Sequence, residues 1–126
     1  MLNIPEDLIY TKEHEWVRVT KGSAVVGITD FAQSQLGDII FLELPSLDDI
    51  IIAGEPFGEI EAVKTVSELY APVDGRVIEV NNDLEDFPEK VNQDCYGDGW
   101  IIRIELKNEM NKENLLDHKQ YINLIE

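Results

Sequence analysis

Residues 15–28 read EWVRVTKGSAVVGI, an alternating run, a Lys-Gly-Ser turn and an apolar run. Alternation of polar and apolar residues predicts a half-buried strand, and a glycine between two such runs predicts a hairpin. Five further runs of this kind are separated by Gly, Pro and Asp: residues 38–44, 57–63, 65–70, 76–80 and 100–106. Short strands at this spacing predict a mainly β fold, either a small sandwich or a barrel.

Helices are expected to be few and short. Asp30 and Gln33 have the spacing of a capping box with Asp30 as the N-cap, and Gly37 predicts the end of that helix. Residues 76–80 also lead from a strand into a helical pattern, at residues 81–86. The repeated strand-to-helix unit suggests a pseudo-twofold construction.

The C-terminal region is predicted to be helical. Asn111 is the predicted N-cap of a short helix over residues 112–116. Asp117 and Gln120 repeat the capping-box spacing ahead of an apolar stripe. That stripe is expected to pack on the sheets, and it consists of Tyr121, Leu124 and Ile125.

The length of 126 residues predicts one domain over residues 1–126, and a hydrophobic share of 44% is typical of a chain that folds. The formal charge of −16 argues against nucleic acid and membranes as partners and favours basic patches on other proteins. No apolar run approaches the ~18 residues of a membrane span, and the N-terminus does not have the pattern of a signal peptide. A bacterial cytoplasm is the expected location, although a processed mitochondrial matrix protein would look the same.

Side-chain catalysis and metal binding are not predicted. His14 and His118 belong to no His-Glu-x-x-His motif, and the sequence has no glycine-rich phosphate loop. An exposed or partly packed ring is the better interpretation of His14. Cys95 is the single cysteine and has no neighbouring base, so we interpret it as a structural thiol.

Lys64 lies between two predicted strands, in residues 61–67, which read EAVKTVS. Spacing alone favours an ordinary surface lysine on a hairpin. The following residues 71–77 read APVDGRV, and here the chain resembles biotinyl/lipoyl carrier domains, which present a modified lysine shortly before such a turn. Pro72 is expected to set the bend, and Gly75 to adopt a backbone conformation costly for other residues.

Four separated blocks narrow the resemblance to the H proteins of the glycine cleavage system. They are YTKEHEWV at residues 10–17, GITDFAQ at 27–33, LGDI at 36–39 and YGDGW at 96–100. The resemblance runs from residue 8 to residue 125. Biotin carriers usually place methionine on both sides of their lysine, and Val63 and Thr65 do not fit that pattern.

The resemblance implies a flattened barrel-sandwich of two antiparallel sheets with pseudo-twofold symmetry, short helices and a C-terminal helix. It implies a monomeric carrier, not an enzyme, with lipoic acid joined to Lys64 through an amide. A lipoate ligase or a lipoyl/octanoyl transferase would attach that group.

The implied role is in glycine catabolism and one-carbon metabolism. The carrier would take the aminomethyl group of glycine from the PLP-dependent glycine decarboxylase to the tetrahydrofolate-dependent aminomethyltransferase. It would then pass electrons to dihydrolipoyl dehydrogenase.

The resemblance also implies two residues that shelter the loaded arm. The family places a cleft glutamate in its His-Glu-Trp segment, and Glu15 matches it here. Glu68 is a second candidate, because the family often carries an acid at that position.

Some residues depart from the family pattern. Ala62 stands where serine is common, and Cys95 where proline is common. Asp48 replaces a usual glycine and is followed by the apolar residues 50–52, which leaves the conformation of that loop open.

Two alternatives remain open at this point. A relay that donates lipoyl or octanoyl groups to other carrier domains would use the same Lys64. A biotin carrier or a pure interaction module would be distinguished by intact mass, because the lipoyl, octanoyl and biotinyl adducts differ.

Overall fold

The computed structural model describes residues 2–107 and 114–126, and within them it has short helices and two antiparallel sheets. In chain order the elements are β1 Ile9–Tyr10, β2 Glu15–Thr20, β3 Ser23–Ile28, α1 Asp30–Leu36, β4 Ile39–Glu43, β5 Ile50–Ile51, β6 Pro56–Ala62, β7 Val66–Tyr70, β8 Gly75–Val80, α2 Asp83–Asp86, α3 Lys90–Gln93, β9 Ile102–Leu106 and α4 His118–Ile125. The predicted hairpin, the five further strands and the C-terminal helix are confirmed.

The larger sheet has the order β1-β2-β3-β9-β8-β5, and the smaller one has the order β4-β6-β7. Every strand pair is antiparallel, as the sequence resemblance implies. The units β3–α1 and β8–α2 flank β9 in the larger sheet, so the repeated strand-to-helix pattern recurs in space. Strands β1 and β5 were not predicted, because two residues carry no alternation.

The main core lies between the sheets, where inward residues of both pack together; Val26, Ile60, Val77 and Ile104 are examples. A second cluster, which includes Trp16, joins helix α4 to strands β1 and β2. Its centre is a stacked pair, with the rings of Tyr10 and Tyr121 4.6 Å apart. Of the predicted apolar stripe, Tyr121 is buried, Ile125 is half-buried and Leu124 is largely exposed, so Leu124 is not a packing residue.

The cap of α1 differs from the prediction. Thr29, not Asp30, is the N-cap, and its hydroxyl accepts a hydrogen bond from the Ala32 amide. Asp30 is the first helical residue, and its carboxylate accepts from the Gln33 side chain at 2.7 Å. Thr29 is buried with its hydroxyl beside the first turn, whereas Asp30 is half-buried and its carboxylate also accepts from the Asn3 amide. The helix ends at Gly37 with φ +81°, as predicted.

Helix α4 begins as predicted, with a complete capping box between Asp117 and Gln120. The predicted Asn111 cap and the first two residues of the predicted helix over residues 112–116 lie outside the described residues. Residues 114–116 form a turn followed by a β-bridge between Leu116 and Tyr10, so the helix does not extend through them.

The Asp48 loop has a defined conformation. Asp48 adopts φ +72°, the left-handed region that favours glycine, and its carboxylate forms an ion pair with Arg76. The apolar segment that follows adds β5 to the edge of the larger sheet, with Ile50 opposite Arg76 and Ile51 opposite Gly75. Within the described ranges, no helix is long and apolar enough to cross a membrane.

Gly75 lies inside strand β8, and its φ is outside the left-handed region, so the expected costly backbone conformation is wrong. The requirement is steric. A Cβ atom at Gly75 would lie 2.6 Å from the carbonyl oxygen of Glu105 on β9. Pro72 is buried and lies just before this strand.

Candidate functional site

Lys64 lies at the tip of the β6–β7 hairpin, where its side chain is exposed. The Ala62 amide donates to the Thr65 carbonyl at 2.8 Å, and the Val63 amide donates to the Asp38 carbonyl at 3.1 Å. These bonds fix the tip from within the hairpin and from the neighbouring β4 side. No salt bridge involves Lys64 within residues 2–107 and 114–126, so its amine projects free of an ion pair there.

The outward face of β7 leads from this tip to a cleft. Val66, Glu68 and Tyr70 alternate with the inward Ser67 and Leu69. A strand rises about 3.4 Å per residue, so Val66 and Tyr70 lie about 14 Å apart. Tyr70 lines a cleft of about 390 Å³, whose other lining residues are Thr11, Lys12, Glu13, Glu15, Ala53, Gly54, Ala71, Pro72 and Asn114.

Glu15 is the buried acid of the cleft, with 2% of its surface exposed. The Thr11 hydroxyl donates to its Oε1 at 2.7 Å, and the Tyr70 amide donates to its Oε2 at 3.4 Å. Burial raises the pKa of Glu15 to about 8, against the opposing effect of these two hydrogen bonds. The side chain is therefore mostly protonated at neutral pH.

The turn before Glu15 is tied to helix α4. His14 adopts φ +70°, its amide donates to the Thr11 carbonyl, and the Thr29 amide donates to the His14 carbonyl. Its Nδ1 lies 2.9 Å from the Tyr121 hydroxyl, which lies 2.7 Å from the Thr29 hydroxyl. Burial lowers the pKa of His14, and the ring is half-buried, which confirms the interpretation of a partly packed histidine.

Glu68 is exposed on β7 and does not line the cleft. Its carboxylate raises the pKa of the Tyr70 hydroxyl, first through a side-chain hydrogen bond and then through its charge. Glu68 therefore lies between the Lys64 tip and the cleft, while Glu15 lies inside it. The structure brings Glu15 and Glu68 to the two sides of Tyr70.

Sequence reasoning missed the partners that hold Glu15 in place. These partners are the Thr11 hydroxyl and the Tyr70 amide, and only the fold brings Tyr70 to within hydrogen-bonding distance of Glu15. Cys95 is buried, and burial raises the pKa of its thiol to about 12. Among the residues described, no group of three His, Cys, Asp or Glu side chains is placed to hold a metal ion.

Glu15→Gln is expected to change how stability depends on pH. In the folded chain Glu15 keeps its proton up to about pH 8, whereas in the unfolded chain it loses that proton near pH 4.5. Folding therefore takes up a proton between these values, so the contribution of Glu15 to stability falls as pH rises through this window and levels off above it. Urea unfolding at pH 5, 6, 7 and 8 should show a free-energy difference between the variant and the wild type that grows with pH in favour of the variant. A difference independent of pH would contradict the raised pKa.

Comparison with known proteins gives one consistent result. The family described as "Glycine cleavage H-protein" matches residues 8–126. A protein of Rubrobacter xylanophilus described as "Glycine cleavage system H protein" is 52% identical over 126 residues, covering 100% of this chain and 98% of its own length. One of Symbiobacterium thermophilum with the same description is 54% identical over 121 residues, covering 96% of this chain and 94% of its own.

A solved structure agrees with these relatives. The crystal structure of a glycine cleavage system H protein from Mycobacterium marinum superposes with a TM-score of 0.89 at 37% sequence identity. The match covers 95% of this chain and 97% of that one. The similarity therefore extends over both sheets and is not confined to the lysine hairpin.

Proposed function

The chain belongs to the glycine cleavage H-protein family, whose members are the carrier component of the glycine cleavage system, and we propose that Lys64 of this chain carries a lipoyl group. The observation that supports this most is the geometry of β7. An exposed lysine lies at one end of its outward face, and the cleft with the buried Glu15 lies at the other. We treat residues 1–126 as one carrier domain without catalytic residues of its own.

Attachment requires an uncharged Lys64 amine. The amine nitrogen attacks the carbonyl carbon of an activated lipoyl or octanoyl group, the activating group leaves, and the nitrogen loses one proton as the amide forms. An exposed tip held by the Ala62–Thr65 and Val63–Asp38 hydrogen bonds presents that nitrogen to an enzyme. When bound, the lipoyl group supplies a disulfide that accepts two electrons and holds the one-carbon cargo.

The cleft can hold a cationic cargo if Glu15 loses its proton when the cation binds. Glu15 is protonated when the cleft holds no cation, because burial disfavours its charged form. A protonated amine beside Oε1 and Oε2 favours the carboxylate, so Glu15 would release its proton to water and accept a charge-assisted hydrogen bond. Thr11 and the Tyr70 amide keep the carboxylate oriented during this change.

The partners follow from the family. We propose that the cargo comes from the PLP-dependent glycine decarboxylase and goes to the tetrahydrofolate-dependent aminomethyltransferase, with reoxidation by dihydrolipoyl dehydrogenase. The proposed setting is a bacterial cytoplasm, in line with relatives from bacteria. A relay of acyl groups to other carrier domains would start from the same Lys64.

Mass spectrometry of the chain purified from its native host tests this function most directly. We expect a lipoyl adduct that maps to the peptide containing Lys64. A biotinyl adduct, or a Lys64 that is unmodified in cells, would contradict the proposal. Incubation of the loaded chain with a second carrier domain and an acyltransferase would detect a relay by transfer of the adduct.

Glu15→Gln is expected to shorten the lifetime of the cargo-loaded carrier without changing lipoylation of Lys64. A charge-assisted hydrogen bond contributes about 1.5–3 kcal/mol, which corresponds to roughly ten- to a hundredfold faster release. Release of formaldehyde and ammonia from the loaded carrier measures this lifetime. Glu68→Gln is the comparison, because Glu68 lies outside the cleft and its loss is expected to have the smaller effect. Release at the wild-type rate in Glu15→Gln would remove Glu15 from the proposal.

A further inference from the structure

Four exposed apolar side chains lie on the Lys64 hairpin and on the strand beside it. Ile40 and Phe41 on β4 are 51% and 53% exposed, and Val63 and Val66 of the hairpin are 66% and 55% exposed. Phe41 lies across from the half-buried Glu61, which lies across from Val66, so the group spans the whole three-stranded sheet. We call these four residues the apolar tip.

A row of glutamates lies beside the apolar tip on the same face. Glu43 on β4 is directly opposite Glu59 on β6, and Glu59 is directly opposite Glu68 on β7. All three are exposed. Within the part of the chain that the structure describes, no salt bridge joins any of them to a Lys or Arg. We call Glu43, Glu59 and Glu68 the glutamate row.

The glutamate row costs stability. Side chains directly opposite in an antiparallel pair have Cβ atoms about 5 Å apart, and like charges at that distance are destabilising. A sheet face that carries an uncompensated row of charges next to exposed apolar side chains has the composition of a protein-binding surface.

We infer that this face is where the enzyme that acylates Lys64 docks, with an Arg/Lys patch opposite the glutamate row and an apolar contact opposite the apolar tip. The inference rests on the proposed function of Lys64. An enzyme that brings the Lys64 amine into its active site must contact Val63 and Val66, which lie on either side of it. A second copy of the chain does not fit, because two glutamate rows and two formal charges of −16 would face each other.

The test is acylation of the unmodified full-length chain by an ATP-dependent lipoate–protein ligase with lipoate, followed by intact mass. Glu43→Lys/Glu59→Lys reverses two charges of the row and leaves Glu68 and Lys64 in place. We expect kcat/KM to fall about tenfold or more, mainly through a higher KM, with a weaker dependence on salt than the wild type. The matched control is Glu6→Lys/Glu126→Lys, which makes the same change in net charge at two exposed residues outside this sheet. It is expected to stay within about twofold of the wild type.

The apolar tip has its own pair of variants. Phe41→Ser/Val66→Ser is expected to raise KM, whereas Val19→Ser, at a residue 45% exposed on the other sheet, is expected to leave it unchanged. Thermal unfolding of each variant checks the fold. The midpoint of Glu43→Lys/Glu59→Lys should stay close to that of the wild type, because the reversal makes the pair at positions 59 and 68 attractive but leaves like charges directly opposite each other at positions 43 and 59.

Binding without acylation gives a second readout. Each variant is combined with Lys64→Arg, and its Kd for the ligase is measured by calorimetry, where the same ranking is expected. Equal effects of the row and control variants would assign the result to net charge and overturn the inference, as would wild-type values for the row variant. If the ligase fails to acylate the wild-type chain, the proposed function of Lys64 is contradicted. That outcome differs from the ones that contradict only the docking face, in which the wild-type chain is acylated normally.

Discussion

Lys64→Arg is expected to abolish lipoylation and cargo transfer together, with no change in thermal unfolding. Arginine keeps the positive charge, but its guanidinium has no primary amine that an activated acyl group can modify. Lys64 is exposed at a hairpin tip, so the fold does not depend on its side chain. Intact mass after incubation with ligase, ATP and lipoate measures attachment. Glycine-dependent NADH formation with the partner enzymes measures transfer, and activity should drop to background.

The matched control is Lys21→Arg, because Lys21 is an exposed lysine in the β2–β3 hairpin turn. It should be acylated at the wild-type rate. A lipoyl group on any other lysine of Lys64→Arg would show that the attachment site has been misassigned.

Gly75→Val is expected to lower the free energy of unfolding by about 2–4 kcal/mol, a large share of what a chain of this size has. The new Cβ would lie 2.6 Å from the Glu105 carbonyl oxygen and 3.5 Å from Cβ of Ile104. Relief requires β8 and β9 to separate at the register where Gly75 pairs with Leu106. Urea unfolding measures the loss. Acylation of Lys64 should fall as well, because the unfolded fraction presents no shaped hairpin to the ligase.

Glu79→Val is the control on the same strand, at an exposed residue whose ion pair with Arg103 contributes at most about 1 kcal/mol. Its unfolding free energy should stay within about that amount of the wild-type value. If Gly75→Val and the wild type have the same free energy of unfolding, β9 can move away from residue 75 without loss of stability.

Strands with several alternating residues were predictable, because one face of each packs against the core. Strands β1 and β5 were not, since a two-residue strand is defined by its partner and not by its own pattern. The cap of α1 was assigned to Asp30 from the capping-box spacing. Thr29 caps instead, because its burial between the helix and Tyr121 holds the hydroxyl beside the first turn, and burial is not visible in a local motif.

The candidate site was also only partly predictable from the sequence. The Lys64 hairpin follows from two strand patterns and a short turn, so the sequence predicted its exposure. The residues implied by resemblance, Glu15 and Glu68, occupy different environments that only the fold distinguishes. The raised pKa of Glu15 depends on burial by distant segments, and the pairing of Glu43, Glu59 and Glu68 depends on register across three strands. Neither leaves a signal in the local sequence.

The length of strand β7 fixes the distance between the lysine tip and the cleft. Because side chains alternate, one residue inserted between Val66 and Tyr70 would turn Tyr70 to the opposite face and take it out of the cleft wall. Two inserted residues would restore its facing but move the cleft about 7 Å farther from the tip. The length of the lipoyl arm proposed on Lys64 is therefore matched to the length of β7, and only an even number of inserted residues keeps Tyr70 on the outward face. Changes of length are better tolerated in the loop between β4 and β5.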